Sequence, residues 1–200
     1  MANLKYDKIL GKTIGKKKIY YGILYGNEKI VFIKVGADGN IRGYQDKYLR
    51  MAHRVHDRIG ATVICASNPY IVEDKHINED KMLINKVTAE QGFDNYEMYF
   101  VGTSDGGYHS LLLSQQFSQT SKYLGINSSH KGIEDFAERI QSLPQVRKYL
   151  VYGRKDEDLD KDLPTMNALE CDNLEIILLD EVDHDFTDRV DDFIVLIDLI

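Results

Sequence analysis

The chain has 200 residues, 43% of them hydrophobic, and a formal net charge of −7. This length fits a single domain spanning residues 1–200, with a core large enough to be buried between two helix layers. The negative charge argues against nucleic acid as a partner. No apolar run approaches the roughly 20 residues of a membrane span, so we expect no such span.

The N-terminus and the cysteines indicate a compartment. Residues 1–7 contain no apolar segment of the kind found in a secretory signal. Cys65 and Cys171 do not have the spacing of metal ligands. We therefore expect reduced thiols in a cytoplasmic protein.

Apolar periodicity and turn residues divide the chain into alternating strands and helices. The predicted strands, in chain order, are 4–10, 17–25, 29–35, 61–66, 97–101, 122–126, 147–152 and 174–179. The predicted helices are 44–59, 78–91, 108–117, 132–143, 165–171 and 187–198. Turns are expected at Gly11 and at Gly26-Asn27, Gly60 ends the first helix, and Asn78 caps the second. This alternation predicts an α/β fold with a mostly parallel sheet and helices on both faces.

The segment Tyr99-Phe100-Val101-Gly102-Thr103-Ser104-Asp105-Gly106-Gly107 contains the most specific motif of the chain. An apolar strand runs into G-x-S-x-G, and an apolar helix follows, which is the sequence form of a nucleophile elbow. Gly102 and Gly106 suit this turn because a Cβ there would crowd the strand and the helix. The motif alone is weak, and Ser104 as a simple helix N-cap remains an alternative.

An acid and a histidine follow the serine in chain order. Asp156 comes just after the strand at 147–152, and His184 comes just after the strand at 174–179. The order Ser, Asp, His and the placement of each residue after a strand end predict one site at the carboxyl edge of the sheet. Two alternatives stay open: Asp158 could replace Asp156, and His184 could be an exposed loop histidine.

The chain resembles a small α/β-hydrolase over nearly its whole length. The motifs that carry the resemblance are Gly36-Ala37-Asp38-Gly39, Gly102-Thr103-Ser104-Asp105-Gly106, Gly153-Arg154-Lys155-Asp156 and Asp183-His184-Asp185-Phe186. The resemblance implies an α/β-hydrolase fold with Ser104 as nucleophile, His184 as base and Asp156 as the acid that orients it. Only residues 127–132 separate strand 122–126 from the next helix, which leaves no room for a cap domain.

The resemblance also implies an oxyanion hole made of the backbone N–H groups of Ala37 and Asp105. Many members of the family carry His-Gly at this loop, whereas this chain has Val35-Gly36. Backbone donors need no particular side chain, so the departure affects loop geometry rather than the presence of donors. A plain turn at Gly36 to Asn40 is the alternative.

Other polar residues do not form a recognisable cofactor or metal site. His53 and His56 lie three residues apart on a predicted helix without an evident third ligand. The acids between Asp180 and Asp192 lack the calcium-loop pattern, and His109 is expected to be a surface or packing residue. We expect no cofactor and no metal.

The leading hypothesis is a serine hydrolase that acts on a small-molecule ester or thioester. The alternatives are a non-catalytic binding or accessory protein of the same fold and a flavodoxin-like phosphate or nucleotide binder. The loops expected to meet at Ser104 contain more acids than bases, which predicts a neutral or cationic substrate. The acids are Asp38, Asp105, Asp156, Glu157, Asp158, Asp183 and Asp185; the bases are Arg42, Arg154 and Lys155. The oligomeric state stays open.

Overall fold

A computed structural model describes residues 4–69, 71, 73–128 and 132–200. Its strands are β1 Lys8–Ile14, β2 Lys17–Leu24, β3 Asn27–Lys34, β4 Ala61–Ala66, β5 Glu97–Thr103, β6 Thr120–Ile126, β7 Arg147–Gly153 and β8 Leu174–Leu179. Its α-helices are α1 Lys47–Ile59, α2 Glu73–Gln91, α3 Asp105–Ser114, α4 Ile133–Gln141, α5 Leu159–Asn167 and α6 Val190–Val195. Short 3₁₀ turns, Tyr44–Asp46 and Leu196–Leu199, precede α1 and follow α6.

The described strands form one sheet in the order β1-β2-β4-β3-β5-β6-β7-β8. β1 pairs antiparallel with β2, and β2 pairs antiparallel with β4. The pairs from β4 to β8 are all parallel, as alternation of strands and helices predicts. The carboxyl ends of β3, β5, β7 and β8 therefore meet at one edge, where the loops after them converge.

Helices cover both faces of this sheet. On β3, Val31 and Ile33 point to the core beneath α1 and α6, whereas Ile30 and Phe32 point to the core that includes residues of α2, α3, α4 and α5. Both cores are apolar, so the parallel strands read as continuous hydrophobic runs instead of alternating ones. The predicted α/β class with helices on both faces is confirmed.

Several predicted boundaries are wrong. Gly11 lies inside β1, paired with Tyr20, and the turn falls at Gly15 instead. α2 begins at Glu73, so Asn78 is an interior helical residue and not a cap. The predicted helix 165–171 is α5 at Leu159–Asn167, and the helix at 187–198 is the shorter α6 followed by a 3₁₀ turn.

Two further expectations can be placed on the structure. The predicted end of α1 is confirmed, since Gly60 adopts a left-handed conformation with φ 68°. Cys65 and Cys171 are both free thiols, and burial raises the pKa of Cys65 to about 12.

Over the described residues no helix is both long and apolar enough to cross a membrane. Residues 1–3 of the N-terminal prediction, and Ser129 and His130 of the loop after β6, lie outside the described residues.

Candidate active site

Ser104 occupies a sharp turn between β5 and α3. Its backbone has φ 52° and ψ −131°, a conformation that side-chain-bearing residues rarely adopt. Such a conformation costs of order 1–3 kcal/mol and persists only where the surroundings impose it. The turn is held by hydrogen bonds from Ser104 N–H to Ile126 O at 2.9 Å and from Gly107 N–H to Ser104 O at 2.8 Å.

The glycines around the serine are required by close backbone approach. A Cβ on Gly102 would lie 2.3 Å from Ser110 Oγ and 2.4 Å from Gly106 O. A Cβ on Gly106 would lie 2.2 Å from Val35 O, because the elbow packs directly against the end of β3. This is the crowding that the G-x-S-x-G argument anticipated, and it brings the loop after β3 next to Ser104.

Three predicted side chains form a continuous hydrogen-bonded chain. His184 Nε2 lies 3.0 Å from Ser104 Oγ, and His184 Nδ1 lies 2.8 Å from Asp156 Oδ2. With its proton on Nδ1, the imidazole donates to the carboxylate and accepts from the serine hydroxyl. Asp156 is 8% exposed, so water competes little for this carboxylate.

The structure separates Asp156 from Asp158. The backbone N–H of Asp158 donates to Asp156 Oδ1 at 3.1 Å, whereas the carboxylate that contacts His184 belongs to Asp156. The backbone of Asp158 therefore helps to hold the acid, and Asp158 lines the same cleft as Ser104. The hydrogen bond to Asp156 raises the pKa of His184 above its ordinary value of 6.5, and burial opposes that shift.

Asn127, at the end of β6, holds the loops of the acid and the histidine together. Its side-chain amide donates to His184 O at 2.8 Å and Asp183 O at 3.3 Å. Its side-chain oxygen accepts from Gly153 N–H at 2.8 Å. Asn127 is 1% exposed and has φ 41°. From the sequence, Asn127 is an ordinary loop residue, because an Asn in a turn is too common to signal such a role.

The loop after β3, residues 36–40, lies against the nucleophile elbow. A Cβ on Gly36 would come within 3.4 Å of Ser104 Cβ. The loop is folded by a hydrogen bond from Gly39 N–H to Gly36 O at 3.0 Å and by Asp38 at φ 53°. Within the described part of the chain, the N–H groups of Ala37 and Asp105 have no hydrogen-bond acceptor. Both predicted donors are thus unoccupied by other groups of the described residues.

Two open clefts border this loop and the serine. The first has a volume of about 410 Å³ and is lined by Ser104, Lys155, Asp156, Glu157, Asp158, Asp183, His184 and Asp185. The second has a volume of about 430 Å³ and is lined by Gly36, Ala37, Gly39, Asn40, Gly43, Tyr44, Lys47, Tyr48, Asp185 and Thr187. The first cleft contains five carboxylates and one lysine, so its side chains carry a negative formal charge.

The basic residues near the site are paired with other acids. Lys155 bonds Glu181 at 2.5 Å and Arg154 bonds Asp180 at 2.7 Å. Arg42 bonds Asp46 at 2.7 Å. Exposed ion pairs such as these contribute little to the stability of the fold. They nevertheless hold the charged groups of Lys155, Arg154 and Arg42 against carboxylates outside the acidic cleft.

A buried polar network that no sequence pattern indicates lies beneath the elbow. Lys34 Nζ donates to Asp80 Oδ2 at 2.9 Å, to Ser67 O at 3.1 Å and to His76 Nε2. The remaining bonds to Asp80 come from Tyr21 at 2.7 Å and His109 at 2.9 Å. Burial lowers the pKa of His76 to about 3, so it is a neutral acceptor. Every donor of the ammonium group is used, as a buried charge requires.

His109 is therefore a buried hydrogen-bonding residue and not a surface one. The network could not be predicted because its members belong to β2, β3, α2, α3 and the segment after β4, and they meet only through the strand order of the sheet.

The two histidines that were considered as metal ligands have other partners. His53 bonds Lys5 O at 3.0 Å and His56 bonds Ala61 O at 2.9 Å. Across residues 4–69, 71, 73–128 and 132–200, no group of three or more His, Cys, Asp or Glu side chains is arranged to hold a metal ion.

Comparison with known proteins gives matches at the level of structure. No family model matches the chain, and no curated protein matches it in sequence. Solved structures do. An α/β serine hydrolase homologue from Coxiella burnetii superposes with a TM-score of 0.72 at 13% identity, covering 98% of each chain. A putative hydrolase from Agrobacterium vitis S4 gives 0.70 at 14% identity, over 96% of this chain and 98% of that one.

A third match is Est1E from Butyrivibrio proteoclasticus, with a TM-score of 0.68 at 11% identity, over 94% of this chain and 95% of Est1E. Identities this low establish the fold and not the activity. The chain thus has the α/β-hydrolase fold in a small form of matching length. Six positions, 127–132, connect β6 to α4, so no cap domain is inserted there.

Proposed function

We propose that this protein is a serine hydrolase that cleaves an ester or thioester by transferring the acyl group to water. The observation that carries the proposal is the chain of 3.0 and 2.8 Å contacts from Ser104 through His184 to Asp156, built on a strained Ser104 at a strand-to-helix turn. A serine hydroxyl is a weak nucleophile at neutral pH, and an adjacent base oriented by an acid is the arrangement that activates it.

Each side chain has a defined role in the proposed reaction. Ser104 Oγ attacks the acyl carbonyl while His184 Nε2 accepts its proton. Asp156 stabilises the imidazolium and keeps the ring in the required tautomer. His184 then protonates the leaving alcohol or thiol, and the acyl group stays on Ser104. A water molecule, deprotonated by His184, releases the acid and regenerates the hydroxyl.

The tetrahedral intermediates place negative charge on the former carbonyl oxygen. We assign its stabilisation to the backbone N–H groups of Ala37, on the loop that packs against Ser104, and of Asp105, the residue after Ser104. Neither group has an acceptor within the described residues. Val35 in place of a histidine before Gly36 does not count against this assignment, because backbone donors need no particular side chain.

The acidic cleft supports a preference for neutral or cationic substrates. Five carboxylates line the space beside Ser104, and Lys155 is paired with Glu181. A concave site strengthens the field of such a cluster. The absence of a cap domain leaves a long acyl chain with little apolar cover, so short or exposed acyl groups are favoured.

We also propose that the 200 residues act as one domain and that the protein works in the cytoplasm, in keeping with its free cysteines.

The two alternative functions make different demands. A non-catalytic accessory protein would need no hydrogen-bonded serine, histidine and acid. A phosphate binder would use the N-terminus of α3, where the exposed carboxylate of Asp105 would repel an anion. Neither alternative accounts for the strained Ser104 as well as the hydrolase does.

The test is hydrolysis of a chain-length series of p-nitrophenyl esters and acyl-coenzyme A thioesters by the wild type and by Ser104→Ala. Est1E has been solved with ferulic acid bound, so an aromatic acyl ester belongs in the panel. We expect turnover that depends on Ser104 and is fastest with short acyl groups. Equal, background-level rates for both proteins across the panel would favour the accessory function.

A further inference from the structure

Asn68 lies just beyond the carboxyl end of β4 and makes three hydrogen bonds to the two segments that carry the proposed oxyanion donors. Its backbone N–H donates to Gly39 O at 3.1 Å, and its carbonyl accepts from Asp38 N–H at 2.8 Å. Its side-chain amide donates to Asp105 Oδ2 at 3.1 Å. Asn68 is 5% exposed, so water competes little for these bonds.

These bonds connect the two proposed donors through one residue. Ala37 precedes Asp38, whose N–H is bound to Asn68. Asp105 carries the second donor on its own backbone, and its side chain is bound to Asn68. The loop and the elbow also touch directly at Gly36 and Ser104, so Asn68 adds a second, hydrogen-bonded connection between them.

Asn68 is itself anchored to the sheet. The preceding residue, Ser67, accepts a hydrogen bond from Lys34 Nζ at 3.1 Å through its carbonyl. Ser67 also exchanges hydrogen bonds with Tyr20, from its N–H to Tyr20 O at 2.9 Å and from Tyr20 N–H to its Oγ at 2.8 Å. A residue fixed in this way can hold its partners in place, which is what a preorganised site requires.

We propose that Asn68 is a positioning residue that sets the separation and direction of the Ala37 and Asp105 backbone donors. This inference rests on the proposed hydrolase function. Asn68 acts through the loop and the elbow and does not touch the substrate. Its contribution is made in the transition state, where the oxyanion forms, so its loss lowers kcat and leaves KM little changed.

The expected size of the effect follows from what oxyanion donors contribute. Removing one donor outright costs about 10²- to 10³-fold in kcat. Misplacing two donors that remain present costs less, and we expect about a 10- to 100-fold loss of kcat for Asn68→Ala with p-nitrophenyl acetate. Asp105→Ala removes the same side-chain hydrogen bond from the exposed partner, so it gives a second measurement that leaves the buried Asn68 intact.

A donor–acceptor swap distinguishes positioning from general stability. Asn68→Asp places two carboxylates against each other and removes the only donor, so kcat falls. In the double variant Asn68→Asp/Asp105→Asn, the amide at 105 donates to the carboxylate at 68 and restores the bond with reversed direction. We expect its kcat to return to within about threefold of that of Asp105→Asn, the matched single variant, a cycle that isolates the pairwise coupling.

The measurements are kcat, KM and thermal unfolding midpoint for all five variants beside wild type and Ser104→Ala. A kcat for Asn68→Ala and Asp105→Ala within twofold of wild type would overturn the inference, as would a loss carried by KM or one that the swap does not restore. A wild type no faster than Ser104→Ala overturns the hydrolase proposal and this inference with it. An active wild type with insensitive Asn68 and Asp105 variants overturns this inference alone.

Discussion

The two halves of the candidate site are built from different chemical groups. The acid–base half consists of the side chains of Ser104, His184 and Asp156, bonded directly to one another. The proposed oxyanion half consists of backbone N–H groups at Ala37 and Asp105, on two segments that Asn68 joins by hydrogen bonds and that pack together where the elbow meets the end of β3. Catalytic side chains can be recognised in a sequence by their residue types. Backbone N–H donors cannot, because their function depends on the conformation of the loop and not on residue type.

A buried asparagine serves each half. Asn127 bonds the loop of His184 and the end of β7, and Asn68 bonds the loop after β3 and the elbow. If the halves act separately, changes in one should alter proton transfer and changes in the other should alter oxyanion stabilisation. The following predictions test that division, beginning with the largest effect.

The largest effect is expected at the nucleophile. Ser104→Ala should lower esterase kcat/KM by at least roughly 10³-fold, because no other group at the turn can form the acyl intermediate. The unfolding midpoint should change little, since the hydroxyl faces His184 and the cleft and not the core. Steady-state kinetics and thermal unfolding of the purified variant check both points. An active variant would show that Ser104 is not the nucleophile.

The acid ranks next, and its neighbour is the matched control. Asp156→Asn should lower kcat by about 10²-fold or more, since an amide neither stabilises the imidazolium nor selects the correct tautomer. Asp158→Asn should cost less than tenfold, because only the backbone N–H of Asp158 contacts Asp156. Kinetics of the two variants under one condition decide the assignment, and the reverse order of losses would show that Asp158 is the acid.

The sequence predicted the acid–base half better than the oxyanion half for physical reasons. Ser104, Asp156 and His184 each follow a strand, and parallel strands bring their carboxyl ends together, so their proximity could be inferred; their catalytic roles stay predictions. The bonds of Lys34 to Asp80 and of Asn68 to Asp105 join residues 46 and 37 positions apart. No local pattern encodes such pairings, because they depend on the order of β4, β3 and β5.

The fold shows the same contrast. Seven strands lie close to their predicted bounds because apolar, β-prone runs end in turn residues. The first was predicted at 4–10 but spans Lys8–Ile14, because Gly11 was mistaken for a turn although it packs inside β1, where Lys18 and Tyr20 lie close to it. The start of α2 was missed because its first turn, Glu73 to His76, contains no apolar face. His76 is buried there as a partner of Lys34. A histidine is a polar residue, so the sequence pattern did not count it as part of the core.

Asn127 should have a smaller effect than the acid, and one confined to proton transfer. Asn127→Gly retains the left-handed backbone that φ 41° requires and removes the side chain. We expect about a tenfold loss of kcat, because His184 O and Gly153 N–H lose their shared partner. Kinetics of Asn127→Gly beside Asn68→Ala provide the comparison, and activity within twofold of wild type would contradict the role.

The pH profile separates the halves further. The hydrogen bond to Asp156 raises the pKa of His184 above 6.5, and the base must be neutral to accept the serine proton. Activity should therefore fall as the pH drops through a value above 6.5. Asp156→Asn removes the cause and should shift this acid limb to lower pH, whereas Asn68→Ala should lower the plateau without moving the limb. The measurement is kcat/KM from pH 5 to 9 for wild type, Asp156→Asn and Asn68→Ala. An acid limb at the same pH in all three proteins would contradict the division into an acid–base half and an oxyanion half.

Substrate charge should produce the smallest effect. Paired esters of equal size, one neutral and one carboxylated, should differ by several-fold in kcat/KM at low salt, with the neutral ester preferred because of the acidic cleft. Added salt should narrow the gap by screening. A carboxylated ester that is the better substrate at low salt would show that Arg42, Arg154 or Lys155 dominates the site.

Covalent labelling tests the central claim most directly, because it reports the activated serine without knowledge of the natural substrate. A fluorophosphonate reacts with a serine only where a base activates it and an oxyanion hole receives the developing charge. Intact-mass and peptide mass spectrometry of wild type, Ser104→Ala and His184→Ala after labelling gives the site and extent of modification. We expect one adduct, on Ser104, absent from Ser104→Ala and strongly reduced in His184→Ala. An unlabelled wild type, or a label that persists in Ser104→Ala, would contradict the account.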